Sequence, residues 1–470
     1  MDCGWRRVDA SAPARRCAWL RIEIERECGM LVSRTLLLAG LALVPTLASA
    51  SDDLDSLLAL PGDEPAAPRI GGFLEGAAAY TFADPTHWSK LRARGEVNAG
   101  GQLMSGVKWK LGARADVDGA YALEDDFYPT AVQRNQRSDL SLREAYVDVS
   151  AGEWDFRLGH QHVIWGEMVG LFFADVVSAR DTREFFLPEF DQLRIPQWAA
   201  RAEYFMDGMH AELLWIPLPA IDNIGKPGSD FYGFIPTVSN YRIAGEERPD
   251  ERLGNSNWGA RLSALVSGWD MSAFFYRSVD VAPTFFLTAI DMSDPLDPEF
   301  EFTPRHERIR QIGATFSKDL GGAVFKGELV HTHGRSLNTA DAAAANGLHE
   351  TDMADLVVGL DVPIRDVWRI NGQLFGRRHF SYDPLTGVDA NETGYSMLVN
   401  RSFGDSLEAE VLYVATFNRG DYMVRPKVVW QMDPVWRLQG GVDMFGGKRT
   451  GLFGRFDDSD RAYVELRRSF

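Results

Sequence analysis

The chain has 470 residues, with 49 Lys and Arg against 67 Asp and Glu, a formal net charge of −18 at pH 7. Such acidity excludes nucleic acid as a partner, because phosphate binding needs a basic surface. Beyond residue 50 no run approaches the roughly eighteen apolar residues of a transmembrane helix, yet aromatics reach 11%, with 13 Trp and 44 Gly, a composition that suits an aromatic-girdled β-barrel.

Residues 1–50 read as a leader. From Met30 the sequence MLVSRTLLLAGLALVPTLASA has a basic residue, Arg34, an apolar core from Leu36 to Val44, and an Ala48-x-Ala50 cleavage pattern, the layout of a secretory signal peptide. Residues 1–29 precede a complete signal, so Met30 is the expected start and residues 30–50 the signal peptide, with an unusually long n-region as the alternative. Cys3, Cys17 and Cys28 all lie ahead of Met30, and an exported chain would carry no cysteine. Residues 51–69 are acidic and punctuated by proline, and read as a periplasmic tail.

The barrel is expected over 70–470. Its signature is clearest in Val107–Tyr121, where Val107, Trp109, Leu111, Ala113, Ala115, Val117, Gly119 and Tyr121 share one face and Lys108, Lys110, Arg114, Asp116 and Asp118 the other. Strand side chains alternate with period two, and about ten residues cross a bilayer when tilted. Candidate strands follow in order at 70–82, 88–99, 107–121, 140–149, 154–165, 198–206, 209–217, 257–266, 269–279, 308–317, 323–333, 352–361, 367–378, 392–403, 407–417, 421–432, 435–445 and 461–470. They predict an all-β, antiparallel transmembrane barrel of 18 strands, or 16 if two merge.

The connections sort by parity. Ala151-Gly152, Asp207-Gly208, Ser267-Gly268, Gly321-Gly322, Arg365-Asp366, Gly404-Asp405 and Asp433-Pro434 mark short hairpins. Between them lie mostly long polar loops at 122–139, 167–197, 218–256, 280–307, 334–351, 380–391 and 446–460. Outer-membrane barrels keep short turns in the periplasm and long loops outside. Trp154, Trp269, Trp368 and Trp436 each follow a short turn within three residues, which predicts an inner aromatic girdle at the headgroup level. Arg461–Phe470 alternates Ala462, Val464 and Leu466 toward a terminal Phe, interrupted by Arg468; such an ending resembles the signal read by the barrel-assembly machinery.

Charge on a membrane strand costs a few kcal/mol on the lipid face, so it is expected inward. Arg92, Arg94, Glu96, Lys108, Lys110, Arg114, Asp116, Glu144, Asp148, Asp155, Arg157 and Glu167 should line the lumen, either guiding a charged solute or pairing across strands to stiffen the wall. The loop 167–197 is too long for a mere connection. It mixes Phe172, Phe173, Phe185, Phe186, Leu187 and Phe190 with Asp175, Arg180, Asp181, Arg183, Glu184, Asp191 and Arg194. So many aromatics suit poorly a loop in water. It is expected to fold into the barrel as a constriction; an ordered external lid is the alternative.

His160-x-His162 and His331-x-His333 have a spacing that zinc can use, but no third ligand is evident, and no metal or cofactor is expected. The acidic run Asp291, Asp294, Asp297, Glu299 and Glu301 lacks the spacing of a calcium loop and reads as ordinary solvated loop charge, with weak divalent binding near lipopolysaccharide as the alternative. Motifs of hydrolases, nucleotide-binding loops, zinc proteases and dinucleotide folds are absent, so no enzyme is expected.

The segments LREAYVDV (142–149), FRLGHQHVIWGE (156–167), ADVVSARDTREFFLPEFDQLRIPQW (174–198) and AEYF…LLWIP (202–217) resemble the domain-of-unknown-function 1302 family of Gram-negative outer-membrane proteins. His160 and His162 depart from the pattern. The resemblance implies an outer-membrane barrel associated with export or uptake of hydrophobic compounds beside inner-membrane exporters, so such an exporter is a candidate partner. It transfers no functional residue. The residues and the resemblance together point to a porin-like channel for small, hydrophobic or amphiphilic solutes, embedded in lipid and lipopolysaccharide. A non-conducting adaptor of an export system and a barrel enzyme acting on lipid or peptide are the alternatives.

Overall fold

The structure, a computed structural model, describes residues 68–470 except 167, 169–172, 235, 237 and 366. The expected leader, nearly all of the expected tail, Glu167, Phe172 and half of the Arg365-Asp366 turn lie outside the described residues. Eighteen strands form one closed antiparallel sheet: β1 (Arg69–Thr81), β2 (His87–Met104), β3 (Val107–Asp118), β4 (Ser138–Ala151), β5 (Trp154–Gln161), β6 (Gln197–Met206), β7 (Met209–Leu218), β8 (Asn257–Val266), β9 (Trp269–Val279), β10 (Arg308–Asp319), β11 (Val324–Asn338), β12 (Leu348–Ile364), β13 (Trp368–His379), β14 (Asn391–Phe403), β15 (Leu407–Thr416), β16 (Tyr422–Gln431), β17 (Trp436–Gly446) and β18 (Arg461–Ser469). Each strand pairs with its chain neighbours, and β18 returns to β1 through nine residue pairs from Phe73–Ser469 to Thr81–Arg461. Closure removes every edge, which lipid demands because it offers no partner to a free N–H or C=O.

Eighteen strands is the expected count, and the 16-strand alternative falls. The strands expected at 88–99, 323–333 and 352–361 run longer, as β2, β11 and β12, and two others end early. The strand expected at 107–121 stops at Asp118, whose carboxylate accepts the N–H of Ala120 at 2.9 Å and of Leu91 at 2.9 Å and so starts a short helix, Ala120–Leu123. Tyr121 therefore leaves the lipid face and is buried with Tyr128 and Val132 under an outer loop. The strand expected at 154–165 ends at Gln161, because Val163 and Trp165 turn inward to a buried cluster.

The wall alternates as a lipid-facing strand must. On β3, Leu111 and Val117 are exposed while Arg114 and Asp118 are buried. Such exposed apolar rows recur as Val97, Leu158, Leu262, Ile312, Leu374 and Val464 around the outside. They are a solvent match for acyl chains, and the protein is an outer-membrane barrel. Periplasmic turns are tight: Ser267 and Gly268 sit at φ +52° and +75°, the left-handed pair that a twisted two-residue hairpin requires.

The four expected girdle tryptophans are the first residues of β5, β9, β13 and β17, four strands apart. Three have a cation over the ring: Lys318 over Trp269 at 4.9 Å, Arg401 over Trp368 at 4.8 Å and Arg468 over Trp436 at 5.8 Å. Arg468 thus breaks the apolar row of β18 only at the headgroup level, where a long cation reaches water.

Candidate functional site: a segment linking opposite walls

The connection between β5 and β6, residues 162–196, touches inward side chains on opposite sides of the barrel. Its first part is apolar. Val163, Trp165, Ala174 and Val177 pack on Leu214 and Ile216 of β7, Phe274 and Tyr276 of β9 and Val330 of β11. The wall makes room: a Cβ on Gly259 would stand 2.8 Å from the Trp165 ring. The Trp165 indole and the Glu212 and Glu328 carboxylates buried there are paired, as low dielectric favours. Trp165 Nε1 donates to Glu212 at 3.1 Å, and the Glu328 carboxylate accepts the N–H groups of Met168 and Ala174, each at 2.9 Å.

Its second part reaches the opposite wall. Phe185 and Leu187 are buried with Val414 of β15, Met423 of β16, Phe445 of β17, and Phe231, Phe453 and Phe456 of two outer loops. Phe185 holds φ +52°, a sparsely populated conformation for a bulky residue, and its ring lies 4.9 Å from Phe456 and 6.0 Å from Phe453. Packing over-determines the strained backbone.

Between the two apolar anchors runs an ion-pair belt. The Glu184 carboxylate accepts Lys90 at 2.6 Å, Arg92 at 2.9 Å and Arg461 at 3.1 Å. Burial opposes its ionisation, but the three cations outweigh burial and hold the carboxyl well below the usual range. Arg92 also meets Glu75 at 3.4 Å, Arg461 meets Asp443 at 3.0 Å, and Arg467 meets Glu75 at 2.6 Å. Arg143 donates to the carbonyls of Asp191 at 2.6 Å and Arg194 at 3.1 Å. Asp175 accepts from Arg194 at 2.8 Å and Ser178 at 2.9 Å. Arg180 donates to the Asp175 carbonyl at 2.7 Å, while Arg183 bridges Asp181 at 2.5 Å and Asp139 at 2.9 Å. A neighbouring loop adds Asp222, which accepts the Arg180 N–H at 2.7 Å and whose carboxyl burial pushes up to about 6.

The sequence-expected lumen residues divide. Arg92 and Arg94 join the belt, Arg94 through Asp116 at 2.6 Å and the Gln192 side chain, and Arg114 lies 3.7 Å from Asp116. Lys110 pairs with Glu144 at 2.5 Å and Arg157 with Asp148 at 2.6 Å, as wall struts nearer the periplasmic side. Asp155 shares the inward face of Arg157, and Lys108 is exposed. Phe173 lies 6.2 Å from Phe375, Phe186 4.8 Å from Phe185, and Asp191 contributes its carbonyl to Arg143. Lys90, Glu75, Glu328, Arg425, Asp443, Arg461 and Arg467 were not anticipated. The alternation rule applied to Arg461–Arg467 would have found two of them, Arg461 and Arg467. Arg143 sits at a register shift between β3 and β4, where simple alternation fails. His160 lies against Trp198 at 5.3 Å and His333 against Asp352 at 2.7 Å; among the described residues no three His, Cys, Asp or Glu are placed to hold a metal.

Beneath residues 186–192 a cavity of about 240 Å³ remains. Phe186, Leu187, Leu398, Leu412 and Met423 form its apolar part; Lys90, Arg92, Arg425, Lys427, Arg461 and Arg467 bring positive charge and Glu189, Glu410, Asp443 and Glu465 negative charge.

A family described as "Protein of unknown function (DUF1302)" matches residues 89–470. Comparison with curated proteins finds no match. Among solved structures, Acinetobacter baumannii OccAB1 is similar at a TM-score of 0.53 and 8% identity, over 86% of this chain and 96% of that one. Pseudomonas aeruginosa OccD3 (OpdP) has a TM-score of 0.48 at 10% identity, over 85% and 90%. Salmonella typhi OmpF, solved in complex with daunomycin, has 0.45 at 10%, over 86% and 97%. At such identities the likeness is one of fold: a porin-like barrel.

Proposed function

The chain belongs to the DUF1302 family of proteins of unknown function, and we propose that it is a passive channel for small amphiphilic solutes. The observation that carries the reading is the mixed lining of the 240 Å³ cavity under the crossing segment. A solute with an apolar body and a charged end satisfies both kinds of wall at once. Every cation there already has a carboxylate partner, so a passing charge exchanges partners instead of crossing a bare dielectric. The segment 162–196 acts as the constriction, its apolar anchors fixing it and its ion-pair belt setting which charges pass. Transport needs no cofactor, no energy source of its own and no catalytic step.

The test is conductance in planar bilayers of the full chain and of a variant lacking 172–190, with liposome swelling in sugars, organic acids and hydrophobic compounds. A larger pore in the variant supports the constriction; an unchanged pore ends it. The double anchoring of the segment also favours a second reading, a plugged barrel acting as an adaptor. Zero conductance together with co-purifying periplasmic proteins would decide for that.

A further inference from the structure

One seam of the wall differs from the rest. β16 carries a proline, Pro426, in its middle. Its ladder with β17 pairs Val424 with Met444 and Lys427 with Gly441 in one continuous register, and skips Arg425 and Pro426 between them. Other interruptions among the described wall ladders are bulges, where the register shifts. Proline has no N–H, so the ladder loses a bond, which is why sheets confine proline to edges. Lipid supplies no replacement. β17 is thinnest at the same height. Gly440 faces out and Gly441 faces in, and a Cβ on Gly441 would stand 2.5 Å from the Pro426 carbonyl oxygen.

The depth of the gap follows from the outward face of β16, which reads Tyr422, Val424, Pro426, Val428, Trp430. Aromatic ends mark the two interfaces, and Pro426 lies four residues from each, roughly 10 Å deep for a tilted strand. The gap therefore meets acyl chains. On the inside, Arg425, Lys427, Gln439 and Asp443 of the same two strands line the cavity. Glu184 and Glu75 hold Lys90, Arg92, Arg461 and Arg467, so the cations that an anionic head meets beside the seam are Arg425 and Lys427, each with a carboxylate partner it can exchange.

We propose that the β16–β17 seam is a lateral opening through which the alkyl tail of an anionic amphiphile passes between the cavity and the bilayer interior. The inference rests on the channel reading. The head stays with Arg425 and Lys427, exchanging for Asp443 at 2.8 Å and Glu410 at 3.1 Å, while the tail leaves across the unbonded step at Pro426.

The test uses dodecanesulfonate, whose fixed charge slows its crossing of plain lipid, added outside proteoliposomes with albumin trapped inside. The exported chain contains no cysteine after Cys28, so V424C/M444C bridged by dibromobimane locks the seam from the lipid side. V399C/V411C, an outward pair on β14–β15, is the control. P426V supplies the missing N–H without a cross-link and should lower the opening equilibrium about tenfold, the worth of one ladder bond. Expected is a loss of dodecanesulfonate transfer in the bridged pair and in P426V, with potassium chloride conductance unchanged in both and transfer unchanged in the control. Transfer that survives the lock, with conductance intact, overturns the seam and leaves the channel standing. An unmodified protein that conducts salt but moves no dodecanesulfonate overturns the seam as well, and one that does neither overturns both.

Discussion

Replacing Glu184 by glutamine removes one charge from the centre of the belt while keeping its volume. In the native protein the carboxylate meets Lys90, Arg92 and Arg461 within 3.1 Å. After the change Arg461 keeps Asp443 at 3.0 Å and Arg92 keeps Glu75 at 3.4 Å, but Lys90 keeps only Glu465 at 3.8 Å. Leaving a buried charge without its partner costs about 3–5 kcal/mol. Because two of the three cations retain a close carboxylate, the lower end applies, about 3 kcal/mol against the seated segment, or roughly a hundredfold in its docking equilibrium. Single-channel recording in planar bilayers reads the change directly. The occupancy of the high-conductance level should rise, and the reversal potential in a salt gradient should move toward chloride, since three cations lose their shared anion. A variant with native occupancy and native selectivity would refute the belt as the element that holds the segment across the lumen.

Two further changes probe the same segment. Phe185→Ala empties a site packed by Phe445, Phe453 and Phe456, worth about 3–5 kcal/mol; tryptic cleavage at Arg180 or Arg183 in detergent should accelerate, and unchanged protection would count against the anchor. Asp222 binds the Arg180 N–H with its carboxyl raised to about 6. A raised folded value means that docking holds the proton more tightly than the free loop, so its contribution is full below about pH 4 and is lost as pH rises to 6. High-conductance occupancy should therefore grow from pH 4 to 6 in the native protein and stay flat in Asp222→Asn.

The wall is legible in the sequence because two signals repeat in phase. Alternation sorts side chains by face, and short turns at every second connection fix direction, so every strand centre falls where it is expected. The Val107–Tyr121 strand is expected too long because the Asp118 carboxylate takes the Ala120 N–H and the chain turns into a short helix there, a switch that alternation cannot register. Occupancy of the lumen is harder to read. The aromatic loop is conspicuous, but its partners lie up to 277 residues away, as Arg461 does from Glu184, and period two places Arg461 inward without saying what it meets there. Arg143 is lost for another reason: one bulge reverses the face assignment of everything beyond it.

The return of β18 to β1 also has a consequence for biogenesis. Those nine pairs join segments at opposite ends of the described chain, so a polypeptide still lacking β18 presents two unzipped margins to oil, each orphaned amide or carbonyl costing several kcal/mol. Insertion is then all-or-none: the membrane accepts the finished hoop, and an incomplete one must be sheltered from lipid until its last stave arrives.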